Sequence, residues 1–99
     1  MEKQKRFVSD DTLKALRNAG IIWSNELVTI TDCVVWFAEH GVAIITDYNR
    51  LDHEWDACAC ADDPRKNICR HSVSYTEAMN AAIRDAAEIY QQNTNKLWT

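Results

Sequence analysis

One long amphipathic helix near the carboxyl end constrains the fold of this 99-residue chain more than any other feature. Ser74-Tyr75-Thr76-Glu77 has the form of a capping box, in which the serine and glutamate side chains satisfy free backbone donors at a helix start. The apolar residues that follow recur at helical spacing in one stripe: Tyr75, Ala78, Met79, Ala82, Ile83, Ala86, Ile89 and Tyr90. Asn80 and Asp85 lie off this stripe, on the polar side of the helix. A helix with such a stripe has to cover an apolar surface, and its alanines allow close approach to a sheet. Residues 92–99 are predicted to be a polar tail.

Three segments upstream predict the strands of that sheet, joined by short polar turns. Residues 42–48 are rich in β-branched side chains, residues 54–60 alternate, and residues 68–73 form a shorter run. Alternation in the middle strand separates two sets of side chains: Trp55, Ala57 and Ala59 on one face, and Asp56, Cys58 and Cys60 on the other. The three segments together predict an antiparallel meander.

Two shorter helices are predicted in the first half of the chain. Ser9 is a good N-cap for one of them, and Gly20 a good stop. The other begins at a capping box formed by Thr29 and Asp32. Between them, residues 21–23 are either a strand or a buried connector. The predicted order is α-α-β-β-β-α, an α+β fold in which a three-stranded antiparallel β-meander has its helices packed on one face.

The composition predicts a single folded domain over residues 1–99, with a flexible basic arm over residues 1–8. Hydrophobic residues make up 46% of the chain and charged residues 26%, which are ordinary values for a globular protein. No stretch of about 18 apolar residues exists, so no membrane span is predicted. The charged start lacks the apolar segment of a secretory signal, so we expect a cytoplasmic location and reduced cysteines.

The charge balance disfavours nucleic acid as a partner. The formal net charge is −4, whereas nucleic-acid binding depends largely on neutralising phosphates. Arg65, Lys66 and Arg70 are the one compact basic group, and the neighbouring Asp62 and Asp63 partly cancel its field. A solvated loop is the favoured interpretation of that group.

The most pointed chemical pattern pairs two cysteines with a cysteine and a histidine. Cys58 and Cys60, like Cys69 and His71, are spaced i, i+2, so each pair lies on one face of its strand. An antiparallel hairpin would bring the pairs together as a set of four zinc ligands: Cys58, Cys60, Cys69 and His71. The alternative is that the cysteines are small apolar residues on a half-buried face. Zinc is the one cofactor that the sequence suggests, and none is required.

A second pattern, over residues 52–56, places carboxylates beside His53, which suits divalent-ion binding or acid–base chemistry. The alternative is the charged end of a hairpin, because alternate residues of a strand face opposite ways. Nucleophile and deaminase signatures are absent, and Gly20 and Gly41 alone cannot form a phosphate-binding loop. An enzyme is therefore the minor hypothesis, and no catalytic or cofactor-binding residue is predicted.

The aromatic residues divide into packing and partner-binding candidates. Trp23, Trp36 and Trp55 are predicted to pack in or beside the core. Leu97 and Trp98 follow a polar segment, where no core is predicted for an apolar pair to pack against. They are the predicted partner-binding residues.

Two segments resemble parts of small phage and mobile-element proteins. Residues 31–44 look like the opening of those proteins, in which a Trp-containing helix runs into a strand. Residues 74–83 are similar to their closing helix, with its Tyr-x-Glu-Ala start. The resemblance is confined to these two segments and implies a genomic setting rather than an activity. The element order is also similar to double-stranded-RNA-binding domains, which place lysine at the start of the last helix, where this chain has Tyr75-Thr76-Glu77.

The leading interpretation is a small non-enzymatic accessory or interaction protein. It would bind another protein, or itself, through a sheet face, a sheet edge or the carboxyl-terminal tail. The two alternatives are a zinc-stabilised binding module and a nucleic-acid module similar to double-stranded-RNA-binding domains.

Overall fold

The computed structural model describes residues 7–21, 23, 28–62 and 64–96. Its elements in chain order are the helices α1 (Asp10–Asn18) and α2 (Ile30–Glu39), the strands β1 (Ala43–Asn49), β2 (Glu54–Cys60) and β3 (Ile68–Ser72), and the helix α3 (Tyr75–Lys96). This order confirms the predicted mixed α+β class. Most of the predicted basic arm, Ile22 of the undecided 21–23 segment, and the Leu97-Trp98 pair lie outside the described residues.

Local hydrogen bonds fix the starts of the helices. Both halves of the capping box form at α2: Asp32 N–H donates to Thr29 Oγ1, and Thr29 N–H donates to Asp32 Oδ2, each at 3.1 Å. At α3 only one predicted half forms, in which Glu77 N–H donates to Ser74 Oγ over 3.3 Å. The Glu77 carboxylate instead accepts from the Ser72 hydroxyl at 3.1 Å. The last residue of β3 is thereby tied to the first turn of α3.

Helix α3 is longer than predicted, because it continues through residues 91–96 rather than ending in a polar tail. The extension contains glutamine and lysine, which are good helix formers, and has neither glycine nor proline to stop it. The shorter helices stop just before Gly20, as predicted, and just before Gly41; the φ angles of these glycines are +82° and +87°. These positive angles suit glycine, which has no Cβ to clash.

The sheet is an antiparallel meander in the order β1-β2-β3. Helix α3 packs across one face of it, and α1 and α2 pack against α3. Ala57 and Ala59 of β2 lie fully buried beneath α3, as the alternation predicted. The largest fully buried side chains of the core come from both halves of the chain: Phe37, Leu16, Ile83, Ile89, Val28 and Val42.

A buried carboxylate on α3 forms an ion pair with a side chain of β3. Asp85 was expected on the exposed side of α3, yet it is only 6% exposed. Its carboxylate accepts from Nε and Nη2 of Arg70 at 2.7 and 3.0 Å, a two-pronged contact that compensates its burial. The burial of Asp85 was not predicted, because its partner Arg70 comes from a neighbouring strand.

None of the described helices is both long enough and apolar enough to cross a membrane.

Candidate functional site

The face of the sheet opposite α3, here called the outer face, gathers most of the chemically distinctive side chains. Alternation on three paired strands places ten residues there: Ala43, Ile45, Asp47, Asn49, Glu54, Asp56, Cys58, Cys60, Cys69 and His71. Apart from the half-buried Asn49, those contributed by β1 and β3 are exposed, and those of the central strand are half-buried. All four predicted zinc ligands therefore share one face.

Cys58 and Cys69 form a disulfide bond across this face. The register pairs them directly, with Cα atoms 4.0 Å apart. The expectation of reduced cysteines is wrong for this pair. The sequence placed both cysteines on matching strand faces, but it could not fix the register that sets one opposite the other.

The register also orders the other two predicted ligands. Cys60 lies beyond Cys58 towards one end of the hairpin, and His71 lies beside Asp56 towards the other. They are therefore separated by about 13 Å along the strands, given a rise of about 3.3 Å per residue. Zinc bonds to sulfur and nitrogen are only about 2.0–2.3 Å long, so this register does not bring Cys60 and His71 together at one ion.

Within the part of the chain that the structure describes, no group of three His, Cys, Asp or Glu side chains is arranged to hold a metal ion. A disulfide-bonded pair has no thiolate to offer a metal, so zinc binding at Cys58 and Cys69 requires their reduction first. Zinc binding by the four-residue set stays a prediction.

Asp56 and His71 form a close polar pair on the outer face. His71 Nδ1 lies 2.5 Å from Asp56 Oδ1. The hydrogen bond to Asp56 and the charge of Asp56 raise the pKa of His71, with smaller contributions from Glu54 and Asp52. Within the predicted 52–56 cluster, Asp56 therefore contacts a histidine. That histidine is His71 of β3 rather than His53 of the cluster itself.

The two edges of the sheet differ in how well they are protected. Strand β3 is short, and two of its five residues, Arg70 and His71, carry bulky polar side chains. Strand β1 has seven residues, of which only Asp47 is charged, and the side chain of Ile45 is 57% exposed. Charged side chains discourage the pairing of an edge with another strand. Among the described residues, β1 and β3 each pair with β2 alone, and the longer and less charged β1 is the more open edge.

A buried polar cluster joins α1 to α3, and the sequence did not reveal it. Asn80 is only 5% exposed, and its Oδ1 accepts from Ser9 N–H and from Thr12 Oγ1, both at 2.8 Å. Arg84 donates to Thr12 Oγ1 over 3.1 Å. An open pocket of about 400 Å³ lies over this cluster, with Glu77 also on its wall. Asn80 falls on the predicted polar side of α3, and only the packing of α1 makes that side an interior.

The three tryptophans expected to pack do so, each half-buried against the core. Trp36 stacks on His40 with ring centroids 3.7 Å apart, and Trp23 lies beside it at 6.4 Å. Trp55 lies 5.0 Å from both Tyr48 and Tyr75. Trp36 also contacts Tyr90 of α3, so these rings pack α2 against α3 and α3 against the sheet.

Cys33 lies in the core, unlike the cysteines of the outer face. It is fully buried in α2. Burial, with a smaller contribution from Asp32, raises its pKa from 9.0 to about 12. Because the thiolate is the reactive form, this cysteine is inert in the folded chain.

Comparison of the chain with protein-family models, with curated proteins and with solved structures found no match. A functional proposal for this chain therefore rests on its own geometry.

Proposed function

We propose that this chain is a small non-enzymatic interaction protein that associates with a second copy of itself through the edge of β1. The observation that carries the proposal is the open β1 edge, which is seven residues long and contains one charge. An extended edge of this kind offers a row of backbone donors and acceptors to an added strand.

The side chains of β1 favour a second copy as the added strand. Antiparallel pairing centred on Ile45 places Ile45 against its own counterpart. The same register sets Asp47 of each copy opposite Ala43 of the other, so no like charges face each other. A two-fold axis through Ile45 makes the contact self-complementary, as closed dimers require. The product would be one continuous six-stranded sheet.

The outer face would enlarge the contact. It is continuous with the β1 edge through Ile45, which lies opposite Cys58 in the register. Exposed apolar area next to an open edge strengthens strand addition, because side chains bury area while the backbones form hydrogen bonds.

Sedimentation velocity over about 1 μM to 1 mM, which covers association free energies of roughly −8 to −4 kcal/mol, tests this proposal. The unmodified chain is expected to increase in mass with concentration. Ile45→Lys should abolish the increase, because lysine on an edge opposes strand pairing.

A matched control is available on α2. Val35 is 52% exposed, close to the 57% of Ile45, and it lies on a helix rather than at the sheet edge. Val35→Lys makes the same change of charge and should leave the association unchanged. A chain that stays monomeric over the whole range contradicts the proposal, and so does equal loss of association in both variants.

The zinc-stabilised module is the second candidate, favoured by the Asp56–His71 contact. A histidine that binds a metal through one ring nitrogen commonly donates the N–H of the other to a carboxylate. Here Asp56 Oδ1 accepts from His71 Nδ1, which leaves His71 Nε2 free to bind a metal ion. In the reduced chain, Cys58 and Cys69 would join either His71 or Cys60 at one ion.

Metal content of the reduced protein, purified without a histidine tag, tests this candidate. About one zinc per chain, with a fall in melting temperature on chelation, supports a structural site. An unchanged melting temperature with chelator contradicts it. Asp56→Asn should weaken a site that uses His71, since such supporting carboxylates contribute about 10- to 100-fold in affinity.

The nucleic-acid module, the cytoplasmic location and the phage or mobile-element origin stay predictions.

A further inference from the structure

The Cys58–Cys69 disulfide lies at the surface rather than in the core. Cys69 is exposed on the edge strand β3, while Cys58 is half-buried on the central strand. Exposed disulfides are more labile than buried ones, because thiols in solution can reach them. Here one cysteine of the bond, Cys69, is exposed to solvent.

The two cysteines of the bond differ in how easily a thiol reaches them. Cys69 is exposed on an edge strand, whereas Cys58 is half-buried on the central strand between β1 and β3. Because the rate of thiol–disulfide exchange depends on access to the attacked sulfur, exposure selects Cys69 over Cys58.

We propose that the Cys58–Cys69 bond is a thiol-exchange site, at which a low-molecular-weight thiol of the glutathione class modifies Cys69. In the first step, the thiolate sulfur bonds to Cys69 Sγ, the Cys58–Cys69 bond breaks, and Cys58 leaves as a thiolate that takes a proton from water. In the second step, another thiolate attacks the sulfur of the bound small thiol. That step releases the small-molecule disulfide and a Cys69 thiolate. Two small thiols are oxidised and one protein disulfide is reduced.

The modification does not depend on a partner for the β1 edge. The chemistry occurs on β2 and β3 of the isolated chain, so a strictly monomeric protein would still show it.

Reduced glutathione added to the air-oxidised full chain is the probe, with acid quenching, peptide mapping and intact mass as the readout. The expected first product has glutathione on Cys69 and a free thiol on Cys58, and further reaction frees both. Cys33 stays unmodified in the folded chain. Exchange should proceed at the same rate when denaturant is added below the unfolding transition, because the native surface is the reactant.

Two variants locate the reaction. Cys60→Ser removes the free thiol nearest to the bond and should leave the adduct on Cys69. Cys33→Ser is the matched control for loss of a thiol that is out of reach. Three results would overturn the proposal: an adduct confined to Cys60, an exchange rate that rises steeply with denaturant, or free Cys58 and Cys69 in the air-oxidised chain.

Discussion

The two faces of the sheet differ by a shift of one residue along each strand, yet they have opposite properties. On the inner face, Ala57 and Ala59 are fully buried beneath α3. On the outer face, Cys58 and Cys60 alternate with them and are reached by solvent. The inner face packs against α3 and fixes the fold. No described side chain of the outer face belongs to the buried core, so its cysteines, charges and exposed Ile45 are available for other roles.

The thiols give the largest expected difference between interior and outer face. The pKa of Cys33, raised from 9.0 to about 12, lowers its thiolate fraction about a thousandfold. With iodoacetamide and no reductant, Cys60 should be alkylated in the folded chain and Cys33 only after unfolding. Peptide mapping by mass spectrometry measures both rates. Similar rates at the two sites would show that the interior is open to reagents.

Two isoleucines test the same contrast through stability. Ile83 is fully buried in α3, so Ile83→Ala is expected to lower the free energy of unfolding by about 2–5 kcal/mol. Ile45→Ala, the same substitution on the outer face, should change it by no more than about 0.5 kcal/mol. Urea denaturation at low protein concentration, where association does not contribute, gives both values. Equal losses would mean that the outer face belongs to the core.

Enlarging an alanine, rather than truncating an isoleucine, tests the same contrast with a smaller expected loss of stability. Ala59 is fully buried and Ala43 is exposed. Ala59→Leu forces extra volume between β2 and α3 and should cost about 1–3 kcal/mol. Ala43→Leu has solvent to expand into and should stay within about 0.5 kcal/mol. Denaturation midpoints compare the two, and a tolerated Ala59→Leu would indicate a loosely packed helix–sheet interface.

The smallest expected effect is a change in the pKa of His71. The pKa of His71 is raised above 6.5 chiefly by Asp56, then by Glu54 and Asp52. NMR titration should show Asp56→Asn moving it back towards 6.5, and Asp52→Asn moving it less. The stabilising contact is complete below pH 6.5 and is lost as the pH rises through the raised pKa. An unshifted His71 would show that its contact with Asp56 does not form in solution.

Patterns local in sequence predicted most of the fold. Alternation in residues 54–60, the capping residues and the apolar stripe of α3 each depend on near neighbours, and all appear in the structure. What was missed depends on contacts between distant residues. The buried Asn80 needs α1, the buried Asp85 needs Arg70, and the Cys58–Cys69 bond needs a register that alternation alone leaves open.

The candidate site followed the same rule. Spacing placed Cys58, Cys60, Cys69 and His71 on matching strand faces, and the structure gathers them on one face. It could not show that Cys60 and His71 lie at opposite ends of that face, or that Asp56 holds His71. Residues 97–98, the other predicted contact, lie outside the described residues.

Amide NMR spectra of the full chain at low and high concentration test association through the β1 edge most directly. Resonances of Ala43–Asn49 in β1 are expected to shift or broaden as the concentration rises, together with outer-face neighbours such as Cys58, while the α2 resonances stay unchanged. Spectra that do not change with concentration, or changes confined to the helices, would contradict association through the β1 edge.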